Sequence, residues 1–314
     1  MTQPPAVAAS EHVHCGRDGW LFLVGGSNSA LEYYTDPDAF PEATLQKWLA
    51  LLHERRTRCS SFGAQYLHMI APDKLTIYRD EFIGDLPHWS RSPALQLPKA
   101  AAADGLADVV VNVVPYLTRQ KAHFKLFFQT DTHWTFEGCH CAYQILCSKL
   151  GVQFNRAIAR GQRKSGELLL DLGAKLDPPR REEFAYVNFL KTSRRVAVNA
   201  LVSYKEREKK ENDGGLHVGS NVVFCNMQPE AIDKTVVLFG DSFAEYRPHL
   251  LTGMLAETFR EVHFVWSTSL DWSYIERVKP DLLITEAAER FANKVPTDDF
   301  DLDRHVVRLL ADRI

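Results

Sequence analysis

A mostly parallel α/β sheet flanked by helices is what this 314-residue sequence predicts, on three observations. Short apolar or β-branched runs alternate with amphipathic stretches of helical length. Turn residues punctuate them at regular intervals. The apolar run 236–239 passes directly into Gly240-Asp241-Ser242, a strand ending in a tight turn. Strands alternating with helices build a parallel sheet, and ligands bind beyond the carboxyl ends of its strands.

In chain order, a first strand is expected over 19–24, followed by a glycine turn. An amphipathic helix fits 41–62, and the buried apolar run 66–70 reads as a strand. A short helix fits 98–104, with Pro98 in its first turn and Gly105 at its end. Strands follow at 108–113, which is β-branched, and at 124–129. Thr135 should cap a helix over about 136–150. From about 151 to 230 the pattern becomes an irregular, β-containing insertion, marked by Pro178-Pro179, the charge-rich stretch 205–211 and the turn Asp213-Gly214-Gly215. Its apolar pieces 196–204 and 217–225 either pair as a hairpin or lie over the main sheet. Order returns with strands 235–239, 261–266 and 281–285 and a helix directly after Ser242. The whole chain, 1–314, reads as one domain.

Hydrophobic residues make up 45% and charged residues 25%, the balance of a soluble globular protein. A net charge of −3 gives no reason to expect nucleic acid or an anionic membrane as partner. The basic stretches 156–164 and 205–210 read as solvated faces. No run approaches the roughly 18 to 20 apolar residues of a membrane span. Residues 1–16 have neither the basic nor the apolar region of a signal peptide. Six cysteines are too few for a disulfide scaffold of this size. A cytoplasmic setting follows, or a periplasmic one if an export signal has been trimmed away.

Two segments carry chemistry. Gly240 is expected to permit a backbone conformation that a side chain forbids. Asp241 and Ser242 then fall at a helix N-terminus, where free N–H groups and the helix dipole stabilise an oxyanion. The alternative is that Asp241 or Ser242 simply caps that helix. Asp131 and His133, two apart in an extended segment, point the same way, so the aspartate can orient the ring as a base. The alternative there is a buried structural pair beside Trp134. If both segments close strands at the carboxyl edge, they meet.

Five blocks in this order resemble a known family. They are Gly16-Arg17-Asp18-Gly19-Trp20-Leu21-Phe22, Ala71 through Tyr78, Asp131-Thr132-His133-Trp134-Thr135 with Gly138, Gly240-Asp241-Ser242-Phe243, and Lys279 through Arg290. Together they resemble the alginate O-acetyltransferase family of SGNH-hydrolase-like proteins, in which the Asp–His block precedes the serine block. The resemblance implies Ser242 as nucleophile, His133 as general base and Asp131 as its partner. It also implies acetyl transfer onto polysaccharide hydroxyls through an acetyl-serine, in exopolysaccharide or capsule biosynthesis. An acetylesterase is the simpler sibling. A non-catalytic glycan- or partner-binding protein with a vestigial triad is the other alternative. Family members are exported and some carry a further carbohydrate-binding domain; neither feature is expected here.

Further expectations concern the surroundings of the serine. Lys74 either neutralises a developing charge or a substrate anion, or is a surface turn lysine. Tyr246 and Arg247 either line the acceptor groove or form ordinary helix surface, and Asn226 is the candidate second oxyanion donor beside Gly240 and Asp241. Glu286 and Arg290 are expected to form a helix salt bridge. A zinc site among His133, Cys139, His140, Cys141 and Cys147 is rejected, because Cys139 and Cys141 would face opposite sides of one helix. No bound cofactor or metal is expected. The acetyl donor stays open, with acetyl-CoA compatible with a cytoplasmic enzyme. Expected partners are a carbohydrate acceptor and other polysaccharide-biosynthesis proteins.

Overall fold

The computed structural model describes residues 11–26, 28–247, 249–311 and 313. The amino-terminal reading therefore falls mostly outside the described residues. Among those described, no helix is long and apolar enough to cross a membrane.

Eleven strands are present among the described residues: β1 Val13–Cys15, β2 Leu21–Leu23, β3 Gln65–Ala71, β4 Val110–Val111, β5 Gln162–Leu169, β6 Arg181–Asn188, β7 Ser193–Val198, β8 Asn221–Asn226, β9 Ile232–Gly240, β10 Phe259–Trp266 and β11 Leu282–Ala288. The helices are α1 Glu32–Thr35, α2 Glu42–Ser61, α3 Lys74–Ile77, α4 Pro93–Ala103, α5 Val114–Gln120, α6 Phe136–Lys149, α7 Ala200–Arg207, α8 Leu251–Ala256, α9 Trp272–Val278 and α10 Leu302–Leu310.

The main sheet has the order β4-β3-β11-β9-β10-β8-β7. Its first five strands are parallel, whereas β8 and β7 add to the β10 edge antiparallel. Strands β9 and β11 lie at the centre, and β11 is buried along its whole length. That explains their unbroken apolar runs, since both faces of a central parallel strand are covered. Helix α2 presents Leu45, Trp48, Leu49, Leu52 and Cys59 on one stripe against β3. Consecutive residues of β11 mark the two faces: Thr285 bonds Tyr66 and His68 toward α2, while Glu286 faces the other side, near Cys139 of α6.

The structure corrects several sequence expectations. The 124–129 segment is not a strand: only Phe127 bridges to Trp134. Several of its backbone donors are taken by side chains instead, Leu126 N–H by the Tyr78 hydroxyl and Gln129 and Thr130 N–H by the Glu182 carboxylate, while Phe128 N–H donates to His133 O. Helix α4 begins at Pro93, the residue favoured at a first helical position, and Pro98 lies inside it. No helix follows Ser242 directly. Asp241 accepts Phe243 N–H with its side chain and Ala244 N–H with its carbonyl, closing a turn, and α8 starts only at Leu251. The expected insertion is divided. Strands β7 and β8 do pair, as one of the two alternatives had it, but they extend the main sheet with α7 between them. Only β5 and β6 form a separate hairpin.

A buried ion pair fastens α2 to the loop before α10. Arg55 donates to both Asp298 oxygens, at 2.8 and 2.6 Å, and also to Thr268 O and Tyr66 Oη. Removing one member of such a pair leaves an uncompensated buried charge. Asp298→Asn, which tolerates the left-handed backbone there, should therefore lower unfolding free energy by about 3–5 kcal/mol. Urea titration checks this, and an unchanged midpoint would refute it.

Candidate active site

Three carboxyl strand ends converge. Strand β3 leads to Asp73, β9 to Asp241 and Ser242, and β11 to Glu289 and Arg290. The fourth contributor is the 130–135 segment, which is held without a sheet. Thr135 caps α6 by accepting Gly138 N–H, as expected. Thr130 is fixed through its N–H and hydroxyl to Glu182 of the β5–β6 hairpin, whose carboxylate also pairs with Lys125.

This frame brings Ser242, His133 and Asp131 into one array. Ser242 Oγ lies 2.8 Å from His133 Nε2, and His133 Nδ1 lies 2.6 Å from Asp131 Oδ1. The same Asp131 oxygen accepts His133 N–H at 2.8 Å, so the pair closes a local turn and is not an extended segment. The other Asp131 oxygen accepts Asp171 N–H at 3.3 Å. Asp171 in turn accepts the Thr132 N–H and hydroxyl, at 2.9 and 2.6 Å. Asp171 sits between β5 and β6, in a stretch the sequence left irregular, and no motif announced it. Asp131, His133 and Asp171 place possible ligand atoms within 4.8 Å of one another, but the hydrogen bonds just described already engage all three.

Electrostatics set the proton positions. Burial alone would raise the Asp131 pKa, but the His133 charge and three hydrogen bonds hold it well below the usual carboxylate range. For His133, burial works downward, yet the charge and hydrogen bond of Asp131 and the charge of Asp171 raise it above its ordinary value near 6.5. Phe243 packs on the imidazole, ring centroids 5.0 Å apart, and meets Trp134 edge-on at 4.8 Å.

Beneath the serine lies a layer of buried acids. Asp241 Oδ2 accepts Ala288 N–H at 2.7 Å, and Asp241 N–H donates to Glu286 at 3.1 Å. The Glu286 pKa is pushed well above the usual carboxylate range, first by burial and then by the Asp241 charge. Arg290 donates to Asp73 at 2.7 Å and lies over the Phe243 ring. The expected Glu286–Arg290 salt bridge is therefore absent: Glu286 is in a strand, and Arg290 has a different partner. Glu289 accepts Asp73 N–H, the Thr76 hydroxyl and Ala94 N–H, and its pKa is lifted to about 7 by burial and the Asp73 charge.

Other expected site residues fare differently. Arg247 lines the same cleft as Ser242, whereas Tyr246 packs on Phe264. Asn226 bonds Thr192 and Ala256 in a separate depression, so it is no oxyanion donor. Lys74 is neither a surface lysine nor a cleft residue. It is buried, with Nζ donating to Leu21 O and Gln129 O, and burial lowers its pKa to about 7 against the pull of Asp131 and Asp171. The three cysteines of α6 are buried thiols with pKa values pushed up by burial. Among the turn's N–H groups, those of Asp241, Phe243 and Ala244 are already bonded, which leaves the N–H of Ser242 itself.

Residues 13–273 match the family model of the SGNH hydrolase-like domain of the acetyltransferase AlgX. The chain belongs to this AlgX-type family. The family is one of alginate or polysaccharide O-acetyltransferase-like proteins, and its fold is the seven-stranded, helix-flanked sheet described above. A curated relative, the probable alginate O-acetylase AlgJ of Pseudomonas putida, is 30% identical over 138 residues. That match covers 44% of this chain and only 34% of the relative's own length. The O-acetyltransferase domain of P. putida AlgJ superposes with a TM-score of 0.59 at 19% identity, covering 96% of this chain and 99% of that one. Bacillus cereus PatB1, solved with a sulfonyl adduct, superposes with a TM-score of 0.58 at 13% identity, covering 90% and 96%.

Gly240 is required for space, not for backbone conformation, because its φ is not positive. A Cβ there would lie 2.8 Å from the Ala244 Cβ and 3.0 Å from Glu286 Oε2. Gly240→Ala should cost about 1–3 kcal/mol through overpacking. Thermal or urea unfolding reads it out, and wild-type stability would mean the serine turn yields freely.

Proposed function

We propose that this AlgX-type protein transfers acetyl groups to polysaccharide hydroxyls through an acetylated Ser242. The observation carrying the reading is the unbroken hydrogen-bonded path from Ser242 Oγ through His133 to Asp131 at the floor of an open cleft. A binding protein has no use for a serine paired to an oriented imidazole. Membership of an acetyltransferase-like family supports acetyl as the group and polysaccharide as the acceptor.

His133 Nε2 takes the Ser242 proton as Oγ attacks the carbonyl carbon of an acetyl ester or thioester. The Ser242 N–H supports the oxyanion. As the tetrahedral intermediate collapses, the leaving oxygen or sulfur receives the proton from His133, and acetyl-serine remains. A sugar hydroxyl then gives its proton to His133 and attacks the acetyl carbon, releasing the acetylated sugar and restoring the Ser242 hydroxyl. Asp131 keeps the ring in the tautomer with Nδ1–H and stabilises the imidazolium. When water takes the sugar's place, the same cycle is acetylester hydrolysis.

Intact mass spectrometry after exposure to an activated acetyl ester, and separately to acetyl-CoA, should show one acetyl group mapping to Ser242. Ser242→Ala should remove the label and lower turnover by roughly four to six orders of magnitude. An unlabelled wild type that turns over neither donor would sink the reading.

The pH dependence is a second test. Only neutral His133 accepts the proton, and its pKa is raised, so the acylation rate should climb with pH through a midpoint above 6.5. Asp131→Asn removes the charge that raises it. The midpoint should fall, with a rate loss of about 10³–10⁴-fold. A midpoint indifferent to Asp131→Asn would argue against His133 as the base.

A further inference from the structure

The cleft above Ser242 has a volume of about 410 Å³, and the chemistry of its walls narrows the acceptor. Its lining is largely apolar and aromatic, with Trp134, Phe128, Phe184, His249, His217 and Trp266 prominent. Phe128 and Phe184 stack with centroids 5.3 Å apart, and His249 closes edge-on against Phe184 at 5.5 Å. His217 and Trp266 form a second ring pair of the lining, with centroids 4.4 Å apart. Both histidines are held neutral at pH 7. Burial and the Arg247 charge take His249 down to about 4, and burial followed by the Lys205 charge lowers His217.

The cations near this cleft are committed: Lys205, buried behind the lining, donates to Ser220 Oγ at 3.1 Å and lies over the Tyr246 ring. Among the described lining residues, the one lysine or arginine is Arg247. Its guanidinium meets Glu245 at 2.9 Å and donates to Asn212 Oδ1 at 2.9 Å. Lys125 is paired with Glu182, and Arg163 meets Glu137 at 2.6 Å beside Phe136. The hairpin that forms one wall carries Arg163, Lys164 and Arg181 against Glu167, Glu182 and Glu183, so it has no net charge. The charged groups of the lining stand in two pairs, Asp131 with His133 and Glu245 with Arg247, so none of its cations is unpaired.

A uronic-acid polymer brings one carboxylate per sugar. Placing it here would desolvate an anion with no free cation to meet it and with Glu245 and Asp131 nearby. A neutral hexose brings hydroxyls for hydrogen bonds and C–H faces that suit aromatic walls. We infer that the acceptor is a glycan of uncharged sugars, and that the Glu245–Arg247 pair, by occupying the cleft's one cation, sets this preference. The inference rests on the acetyl-serine reading and adds the acceptor's class to it.

The test uses a matched pair of acceptors, an oligomannuronate hexamer and its carboxyl-reduced product, mannohexaose. Wild-type protein is first acetylated by the activated ester, then each acceptor is added. Decay of the acetyl-Ser242 mass and acetylation of the sugar are followed. Transfer to the neutral hexamer should exceed transfer to the uronate by at least about tenfold. Glu245→Gln, which releases Arg247, should narrow that ratio by raising uronate transfer relative to neutral transfer, each rate being taken per acetyl-Ser242 formed by that variant. Equal or faster transfer to the uronate by wild type would overturn the inference, and so would an acetyl-serine that neither hexamer discharges. Failure of Ser242 to acetylate at all is a separate outcome, which removes the underlying reading and this one with it.

Discussion

The carboxylate of Asp241 is the interaction on which the site depends. One oxygen accepts the Phe243 N–H and shapes the serine turn. The other accepts the N–H of Ala288, the last residue of β11, and so ties the end of β9 to its neighbour. Buried carboxyl groups are tolerated only when their oxygens find hydrogen-bond partners. Asp241 meets that condition with two backbone donors, so the position of Ser242 is fixed by main-chain geometry. Phe243, swung into place by the same turn, then supports the His133 ring. The motif's aspartate thus builds the site without lining it.

A second layer of support comes from outside the sheet. Asp171 and Glu182 both belong to the β5–β6 region, and both satisfy backbone donors of the 129–132 segment that no strand partner reaches. Irregular backbone can be buried only when side chains take over the ladder's role. Four carboxylates therefore share the work: Asp131 for the imidazole, Asp171 for Thr132, Glu182 for Thr130, and Asp241 for the serine turn.

The sheet and the three-residue array were legible in the sequence because each has a local signal. Strands β3, β9, β10 and β11 are apolar runs, and Asp131, His133 and Ser242 sit in short motifs whose residue types match their chemistry. What could not be read depended on distant partners. The 124–129 run looks like a strand, but its donors go to Tyr78 and Glu182, which lie far off in sequence. Spacing alone made Glu286 and Arg290 look like a helical pair, whereas burial in β11 and the proximity of Asp73 decide their partners. Asn226 carries the right functional group in the wrong place. Lys74 was seen as a choice between surface and substrate, and tertiary packing gave it a third role, bridging β2 to the chain before Asp131.

His133 and Ser242 are 109 residues apart in the chain, and Asp171 enters from a third segment between them. Contacts of that separation form late, because the loop between them must be ordered first. Until β9 is seated beside β11 and the hairpin has docked, Ser242 is an ordinary hydroxyl with no base at hand. On the proposed mechanism a nascent or damaged chain is thus chemically silent, and reactivity would switch on only with the finished fold. The proposed activity would accordingly be a sensitive reporter of long-range assembly: mild denaturant should silence it before the helical signal begins to fall, because β5 is exposed along its whole length and has little packing to hold the hairpin in place.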